Sequence, residues 1–186
     1  MVADTPIIKG IYAITPEEAD TNVLVEKVEA CIRGGANLIQ YRAKQLSADL
    51  RYIQAEYLKI LCDKYNTPLI INDDIELCLH LNAFGVHLGA KDDNITTARK
   101  LLGPHKIIGI SCYNDWKRVE KAVDDKADYI ALGACFPSLT KPAAPQVKLE
   151  MIAEVIKKYQ TPVVAVGGID LKNVDLLIQQ GVECVA

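Results

Sequence analysis

Short apolar runs alternate with amphipathic stretches along most of the chain, and this alternation constrains the fold more than any other feature of the sequence. The runs are rich in Val, Ile and Leu, as is typical of parallel strands that are buried on both faces. We therefore predict strands at 11–15 (IYAIT), 38–42 (LIQYR), 69–72 (LIIN), 85–89 (GVHLG), 107–111 (IIGIS), 129–133 (YIALG) and 163–167 (VVAVG).

The stretches between these runs have the apolar spacing of amphipathic helices. The longest is predicted over 47–64, with Ser47 as its N-cap. The face of this helix that we expect to be buried carries Leu50, Ile53, Tyr57 and Leu61. Further helices are predicted over 23–33, 74–81, 96–102, 116–124, 149–159 and 171–180.

Regular alternation of strands and helices implies parallel strands joined by right-handed crossovers, in either an open doubly wound sheet or a closed barrel. No G-x-G-x-x-G follows the first strand, so the dinucleotide-binding form of the open sheet lacks its signature. We predict a single α/β domain over 1–186, a (β/α)8 TIM barrel. Residues 183–186 begin an eighth strand, and we expect that strand and its helix to be cut short at Ala186, which would leave exposed edges.

Charge and cysteine usage limit the partners and the compartment. The net charge of −3 argues against a nucleic-acid or membrane-surface partner, so an anionic substrate would need a local cluster of cations. The six cysteines form no C-x-x-C pair, and the N-terminus does not resemble a signal peptide. We therefore expect free thiols and a cytoplasmic location.

Polar side chains gather at the predicted C-terminal ends of the strands, where barrels of this class carry their chemistry. After the second strand, alternation puts Gln40, Arg42 and Lys44 on one side. The later strand ends carry Asn72, Asp73, Asp92, Ser111, Ser138, Thr140, Lys141 and Gly168. Any one of these residues alone is better explained as a solvated loop residue, but together they suit one ligand.

The residue types at these ends suit a phosphorylated ligand and a divalent metal. Arg42, Lys44 and Lys141 offer positive charge to phosphoryl oxygens. Asp73 and Asp92, on separate loops, are carboxylates of the kind that bind Mg²⁺ together with substrate phosphate and water. His87 lies within the fourth strand, and we favour a hydrogen-bonded core role for it over a catalytic one.

Six motifs at these positions together resemble the thiamine-phosphate synthase (thiamine phosphate pyrophosphorylase) family. They are Q-Y-R-A-K at 40–44, P-L-I-I-N-D at 68–73, G-V-H-L-G at 85–89, G-I-S at 109–111, F-P-S-L-T-K at 136–141 and V-A-V-G-G-I at 164–169. The resemblance extends from Gly10 to the last residue. The chain departs from the family pattern at Ala90, where glutamine is usual, and at Ser138, where threonine is usual.

The resemblance implies that a pyrimidine diphosphate and a thiazole phosphate are the small-molecule substrates and that they are joined with release of diphosphate. It assigns the diphosphate to Arg42, Lys44, Asn72 and Lys141, and Mg²⁺ to Asp73 and Asp92. It assigns the aminopyrimidine to Gln40 and Ser111, and the thiazole phosphate to Ser138, Thr140 and Gly168.

Three other functions stay open on the same barrel. A thiazole tautomerase would share the thiazole phosphate pocket without needing the diphosphate and metal set. A non-catalytic regulator that binds thiamine precursors is the second. A phosphosugar isomerase is the third, although it would require an acid/base pair, and no such pair is evident in the sequence.

Overall fold

A computed structural model of the chain describes residues 8–89, 95–137 and 145–186. Eight parallel strands follow one another around a closed barrel, which confirms the predicted architecture. The strands are β1 (Gly10–Ile14), β2 (Ala36–Tyr41), β3 (Leu69–Asn72), β4 (Gly85–Leu88), β5 (Ile107–Tyr113), β6 (Tyr129–Leu132), β7 (Val163–Ala165) and β8 (Cys184–Val185). The helices outside them are α1 (Thr21–Arg33), α2 (Ala48–Lys64), α3 (Ile75–His80), α4 (Ile95–Leu102), α5 (Trp116–Asp124), α6 (Leu149–Lys158) and α7 (Val174–Ile178).

The short strand β8 closes the barrel, so the expectation of exposed edges is wrong. Cys184 and Val185 pair with Gly10 and Ile11 of β1 on one side and with β7 on the other. The ladder continues beyond the two strand residues, because Gly10 N–H donates to the Glu183 carbonyl at 2.7 Å and Ala186 N–H donates to the Ala165 carbonyl at 2.8 Å. Parallel pairing needs only backbone groups, so a strand of two residues is enough to join its neighbours.

Local signals located the helices well, but they mislocated one buried face. Ser47 Oγ accepts a hydrogen bond from Leu50 N–H at 3.3 Å, as expected of the N-cap of α2. On this helix Ile53 and Tyr57 are 47% and 56% exposed, so the predicted face is wrong. The residues that α2 buries are Gln54, Ala55, Leu58, Leu61 and Cys62. Gln54 can be buried because its amide bonds the Tyr41 hydroxyl at 3.0 Å and the Glu18 carbonyl at 2.8 Å.

Alternate residues of each strand face the barrel interior, where they form a core separate from the larger one between strands and helices. The interior core includes Tyr12 from β1 and Tyr129 from β6, both fully buried. Gly109 makes room for the second tyrosine, because a Cβ at that position would lie 1.9 Å from Cζ of Tyr129. This interior packing forms the floor beneath the C-terminal mouth of the barrel.

The cysteines are all free thiols, as expected, and every one except Cys31 is buried. Burial raises the pKa of Cys184 to about 12, so this thiol behaves as a small apolar side chain. Across the ranges that the structure describes, no helix has the length and apolar character needed to span a membrane.

Candidate active site

A cavity of about 220 Å³ lies among the C-terminal ends of the strands. Residues from all eight strands or from the positions directly after them line it. Six of the predicted site residues are among them: Gln40, Arg42, Lys44, Asn72, Asp73 and Ser111. The structure therefore brings together side chains that the sequence separates by up to 71 positions (111 − 40).

Two of the larger cavities, of about 600 and 690 Å³, lie at the opposite end of the barrel, beside the residues that precede the strands. Lysines line the first of them, but they already have partners. Lys59 pairs with Asp63 at 2.5 Å, and Lys106 Nζ bonds the Ala83 carbonyl at 2.6 Å. We therefore place the candidate site in the smaller cavity, at the end where barrel enzymes carry their chemistry.

The charged side chains that line this cavity are Arg42, Lys44 and Asp73, and we call them the charged wall. Asp73 is at the centre of its hydrogen bonds. Its Oδ2 accepts from Lys44 Nζ at 2.8 Å and from Asn72 Nδ2 at 2.7 Å. Its Oδ1 accepts from Gly89 N–H at 3.0 Å. The residue has a positive φ of 63°, an uncommon conformation for a residue other than glycine. Its backbone N–H is held by the His87 carbonyl at 2.8 Å.

The loop after β1 holds the two cations that follow β2. Thr15 Oγ1 accepts from Arg42 N–H at 2.9 Å and donates to the Arg42 carbonyl at 3.3 Å. Glu17 accepts from the backbone N–H groups of Lys44 and Gln45 at 3.1 and 2.8 Å. The Gln45 N–H is the largest reason why the pKa of Glu17 is lowered. Thr15 and Glu17 were not among the predicted site residues, although their positions at and just beyond the end of the first predicted strand are a usable signal.

The floor of the cavity is a buried chain of hydrogen bonds. Gln40 Nε2 lies 2.9 Å from Tyr12 Oη, which lies 2.8 Å from Tyr129 Oη. Tyr129 Oη lies 2.9 Å from His87 Nδ1, and His87 Nε2 lies 2.9 Å from Ser111 Oγ. We call these five residues the buried relay. Neither tyrosine was recognised from the sequence, because an aromatic residue in an apolar run is indistinguishable from ordinary packing.

Burial sets the charge state of the relay. It lowers the pKa of His87 to about 4, so the imidazole is neutral near pH 7. It also raises the pKa of Tyr12 and of Tyr129 well above the usual value for a phenol. The core role favoured for His87 agrees with this burial, although the residue also lines the cavity. The relay is therefore an uncharged set of donors and acceptors.

The charged wall fits a divalent cation that is shared with a substrate. Across the described ranges, no group of three His, Cys, Asp or Glu side chains could hold a metal alone. Asp73 Oδ1 receives one backbone hydrogen bond, which leaves it lone-pair capacity for a hard cation. Mg²⁺ commonly takes one or two carboxylates and completes its shell with phosphate oxygens and water. A single wall carboxylate therefore suits a metal that arrives with a diphosphate.

Gly168 lies after β7, in the position predicted for it, but it is not among the residues that line the cavity. Its φ is +68°, and a Cβ there would lie 2.4 Å from the Phe136 carbonyl oxygen. Asn173 Nδ2 donates to the Gly168 carbonyl at 2.9 Å. The glycine therefore permits a close approach between two βα loops.

We expect Gly168→Ala to lower the free energy of unfolding by about 2–4 kcal/mol, because it adds a backbone clash to the strain of a positive φ. Gly103→Ala is the matched control, since Gly103 has a φ of +78° with nothing within 4 Å of an added Cβ. That control should lose only about 1 kcal/mol. Equal losses for the two variants in denaturant titrations would contradict the close approach.

Four of the predicted site residues, Asp92, Ser138, Thr140 and Lys141, lie outside the residues that the structure describes. Their roles stay predictions. Ala90, where the chain departs from the family pattern, also lies outside them.

Comparison with known proteins identifies one family. Residues 11–186 match the family model described as thiamine monophosphate synthase. The thiamine-phosphate synthase of Methylobacillus flagellatus is 49% identical over 181 residues, which are 97% of this chain and 86% of the relative. That of Aromatoleum aromaticum is 44% identical over 179 residues, covering 96% and 86% of the two chains.

The fold comparison agrees with the sequence comparison. A thiamine phosphate pyrophosphorylase from Pyrococcus furiosus superposes with a TM-score of 0.85 at 30% identity, covering 96% of this chain and 84% of that one. A 3-hexulose-6-phosphate synthase superposes with a TM-score of 0.67 at 15% identity, covering 96% of this chain and 89% of that one, which shows a shared fold alone.

Proposed function

The chain belongs to the thiamine monophosphate synthase family and is a transferase of thiamine biosynthesis, and from this premise we propose how its cavity performs the coupling. The substrates are 4-amino-2-methyl-5-hydroxymethylpyrimidine diphosphate and 4-methyl-5-(2-phosphooxyethyl)thiazole. The observation that carries the proposal is that one cavity joins a cation-and-carboxylate wall to a floor of neutral amide and hydroxyl groups. The wall suits a diphosphate, and the floor suits a flat heterocycle.

The bond between the pyrimidine methylene and the diphosphate breaks first, and its electron pair leaves with the diphosphate. Positive charge develops on the methylene, where the aminopyrimidine ring delocalises it. The thiazole nitrogen then donates its lone pair to form the new C–N bond. Arg42 and Lys44 stabilise the negative charge that grows on the leaving group. Neither step needs a protein nucleophile or base, which agrees with a neutral His87.

Magnesium belongs on the same wall in this proposal. Asp73, with Asp92 from the neighbouring loop, would hold it, as the oxygen capacity of Asp73 allows. The ion would supply charge neutralisation to the diphosphate oxygens. The Asn72 side chain supports this role, because its amide orients the Asp73 carboxylate at 2.7 Å.

The remaining assignments follow the family resemblance. Gln40 and Ser111 bind the aminopyrimidine on the floor, while Asn72 and Lys141 add contacts to the diphosphate. Ser138, Thr140 and Gly168 bind the thiazole phosphate. We assign the reaction to the cytoplasm, with small-molecule substrates and with neither nucleic acid nor a membrane as partner, as the net charge of −3 favours.

The geometry favours the synthase over a thiazole tautomerase. An isomerase that handles only the thiazole phosphate has no use for Arg42, Lys44 and Asp73 on one cavity wall. A regulator without catalysis would likewise have no need of an oriented carboxylate. The phosphosugar isomerase requires a proton-shuttling pair, which the uncharged relay does not supply.

The direct test is to incubate the protein with both precursors and Mg²⁺. We expect thiamine phosphate and diphosphate to form in equal amounts, measured by chromatography of the product and a coupled diphosphate assay. Isomerisation of the thiazole without any coupled product would favour the tautomerase instead. Binding of both precursors without turnover would favour the regulator.

A further inference from the structure

Helix α2 carries apolar side chains on its outer side as well as on the side that packs against the barrel. Ile53, Tyr57 and Ile60 recur at intervals of four and three residues, which places them along one side of the helix. These side chains are 47%, 56% and 69% exposed, so the core does not account for them. We call these three residues the outer stripe. Single exposed apolar residues are ordinary, but a contiguous apolar stripe is typical of a surface that contacts another protein.

Helix α3 lies beside the outer stripe and widens the surface. The centroid of the His80 ring lies 5.3 Å from that of Tyr52, which is itself exposed. His80 Nε2 also lies 3.7 Å from Glu56 Oε1. Glu56 stands between Ile53 and Ile60 in the sequence, but this contact directs its carboxylate towards α3. The charge of Glu56 therefore lies to one side of the stripe.

The two ends of α2 carry exposed side chains of opposite charge. Asp49 lies in the first turn, four residues before Ile53, and Lys64 lies in the last turn, four residues after Ile60. Each sign complements the partial charge at its end of the helix. Lys64 Nζ lies 3.4 Å from Glu29 Oε1 on α1, but the lysine side chain is 63% exposed and can contact another protein. From either end, the helix therefore presents a charge, two isoleucines and the opposite charge at matching intervals.

We propose that the outer stripe is the interface of a homodimer, in which α2 packs antiparallel to the same helix of a second copy. A two-fold axis that passes between positions 56 and 57 places Ile53 against Ile60 of the partner subunit. The same axis places Asp49 against Lys64 of the partner subunit. An interface of this symmetry must be complementary to itself, and the outer side of α2 meets that condition in its apolar positions and in its charges.

The size of the surface predicts a reversible dimer. Helix α2 has 17 residues, which corresponds to a length of about 25 Å. Stable dimers bury about 800 Å² on each partner, and a single helix with the edge of α3 is a smaller surface. We therefore expect a dissociation constant of about 10–100 µM. The opposite charges at the two ends fix the antiparallel direction, because a parallel pair would place like charges together.

Sedimentation velocity over about 1–300 µM protein tests the interface. We expect the wild-type protein to pass from monomer to dimer across this range. Ile60→Asp should raise the dissociation constant by at least about tenfold, because the dimer would bury two unpaired carboxylates. The variant should remain folded, since Ile60 is exposed in the single copy. Leu171→Asp is the matched control, because Leu171 is also exposed but lies between β7 and α7, and its dimer should be unchanged.

A charge-reversal experiment tests the antiparallel arrangement. In Asp49→Lys two lysines would meet at each end of the dimer, and in Lys64→Asp two aspartates would meet there. We expect each variant alone to associate about three- to tenfold more weakly than the wild type at low salt. An equimolar mixture should recover the wild-type affinity, because a lysine then faces an aspartate at both ends. Neither variant regains its favourable helix-end charge on mixing, so a purely local role of Asp49 and Lys64 predicts no recovery.

Three results would overturn the proposal. The first is a wild-type protein that stays monomeric throughout the concentration range. The second is a dimer that Ile60→Asp leaves intact or that Leu171→Asp weakens to the same extent. The third is a mixture of the two charge-reversed variants that associates no better than either variant alone. Recovery in the mixture, together with loss of the dimer in Ile60→Asp, would support the proposed interface.

Discussion

Replacing Arg42 with alanine should lower turnover by about 10²–10³-fold, because the variant loses a fixed charge that meets the leaving diphosphate as it becomes more negative. The side chain lines the cavity, and two hydrogen bonds with Thr15 hold the backbone from which it extends. Lys44 already contributes its own charge in the proposed mechanism, so it does not replace the lost guanidinium. The measurement is single-turnover formation of thiamine phosphate at saturating substrate.

Two variants control the Arg42 experiment. Arg42→Lys keeps the charge but loses the two-pronged contact with phosphoryl oxygens, so its rate should lie between those of wild type and alanine variant. Arg33→Ala removes an exposed arginine that pairs with Glu29 on α1, away from the cavity, and should leave turnover unchanged. Near-normal turnover in Arg42→Ala, with thermal unfolding unchanged, would remove Arg42 from its proposed role.

Removing Mg²⁺ with excess chelator should abolish coupling, and adding the ion back should restore it, because the diphosphate leaves as a highly charged group. The sharper experiment uses Asp73→Asn and measures rate against Mg²⁺ concentration. If Asp73 binds the metal, the concentration that gives half the maximal rate should rise by about tenfold or more.

A second role for Asp73 makes that titration decisive. Its carboxylate also pairs with Lys44 and accepts from Asn72, so the variant will lose activity even if no metal binds there. In that case the maximal rate falls while the dependence on Mg²⁺ stays as in the wild type. Full coupling in excess chelator would exclude the metal from the wall altogether.

The fold and half of the site were predictable because the relevant signals are local in the chain. A buried parallel strand must be apolar, and a helix between two strands must be amphipathic, so the order of elements is readable directly. Gln40, Arg42, Asn72, Asp73 and Ser111 were predictable for a related reason. In a barrel every C-terminal strand end meets at one mouth, so polar residues placed there converge whatever their separation in sequence.

Two wrong predictions show what local sequence patterns cannot determine. On α2, apolar spacing favoured Ile53 and Tyr57 as buried, but the buried face includes Gln54, whose amide donates to the Glu18 carbonyl. At β8, the strand was expected to be cut short at Ala186 and to leave exposed edges, yet it pairs with the backbone of β1. In both cases the partner comes from a distant part of the chain.

The sequence by itself therefore determined the order of strands and helices, the barrel, and six of the polar side chains that line its mouth. Only the tertiary structure decided what lies beneath them. Tyr12 and Tyr129 are 117 positions apart, and each resembles ordinary apolar packing in its own run. Their hydroxyls come within 2.8 Å of each other only when the barrel closes and brings both side chains into its interior. The partners of each buried hydroxyl come from other strands, so no single stretch of sequence identifies them before the barrel closes.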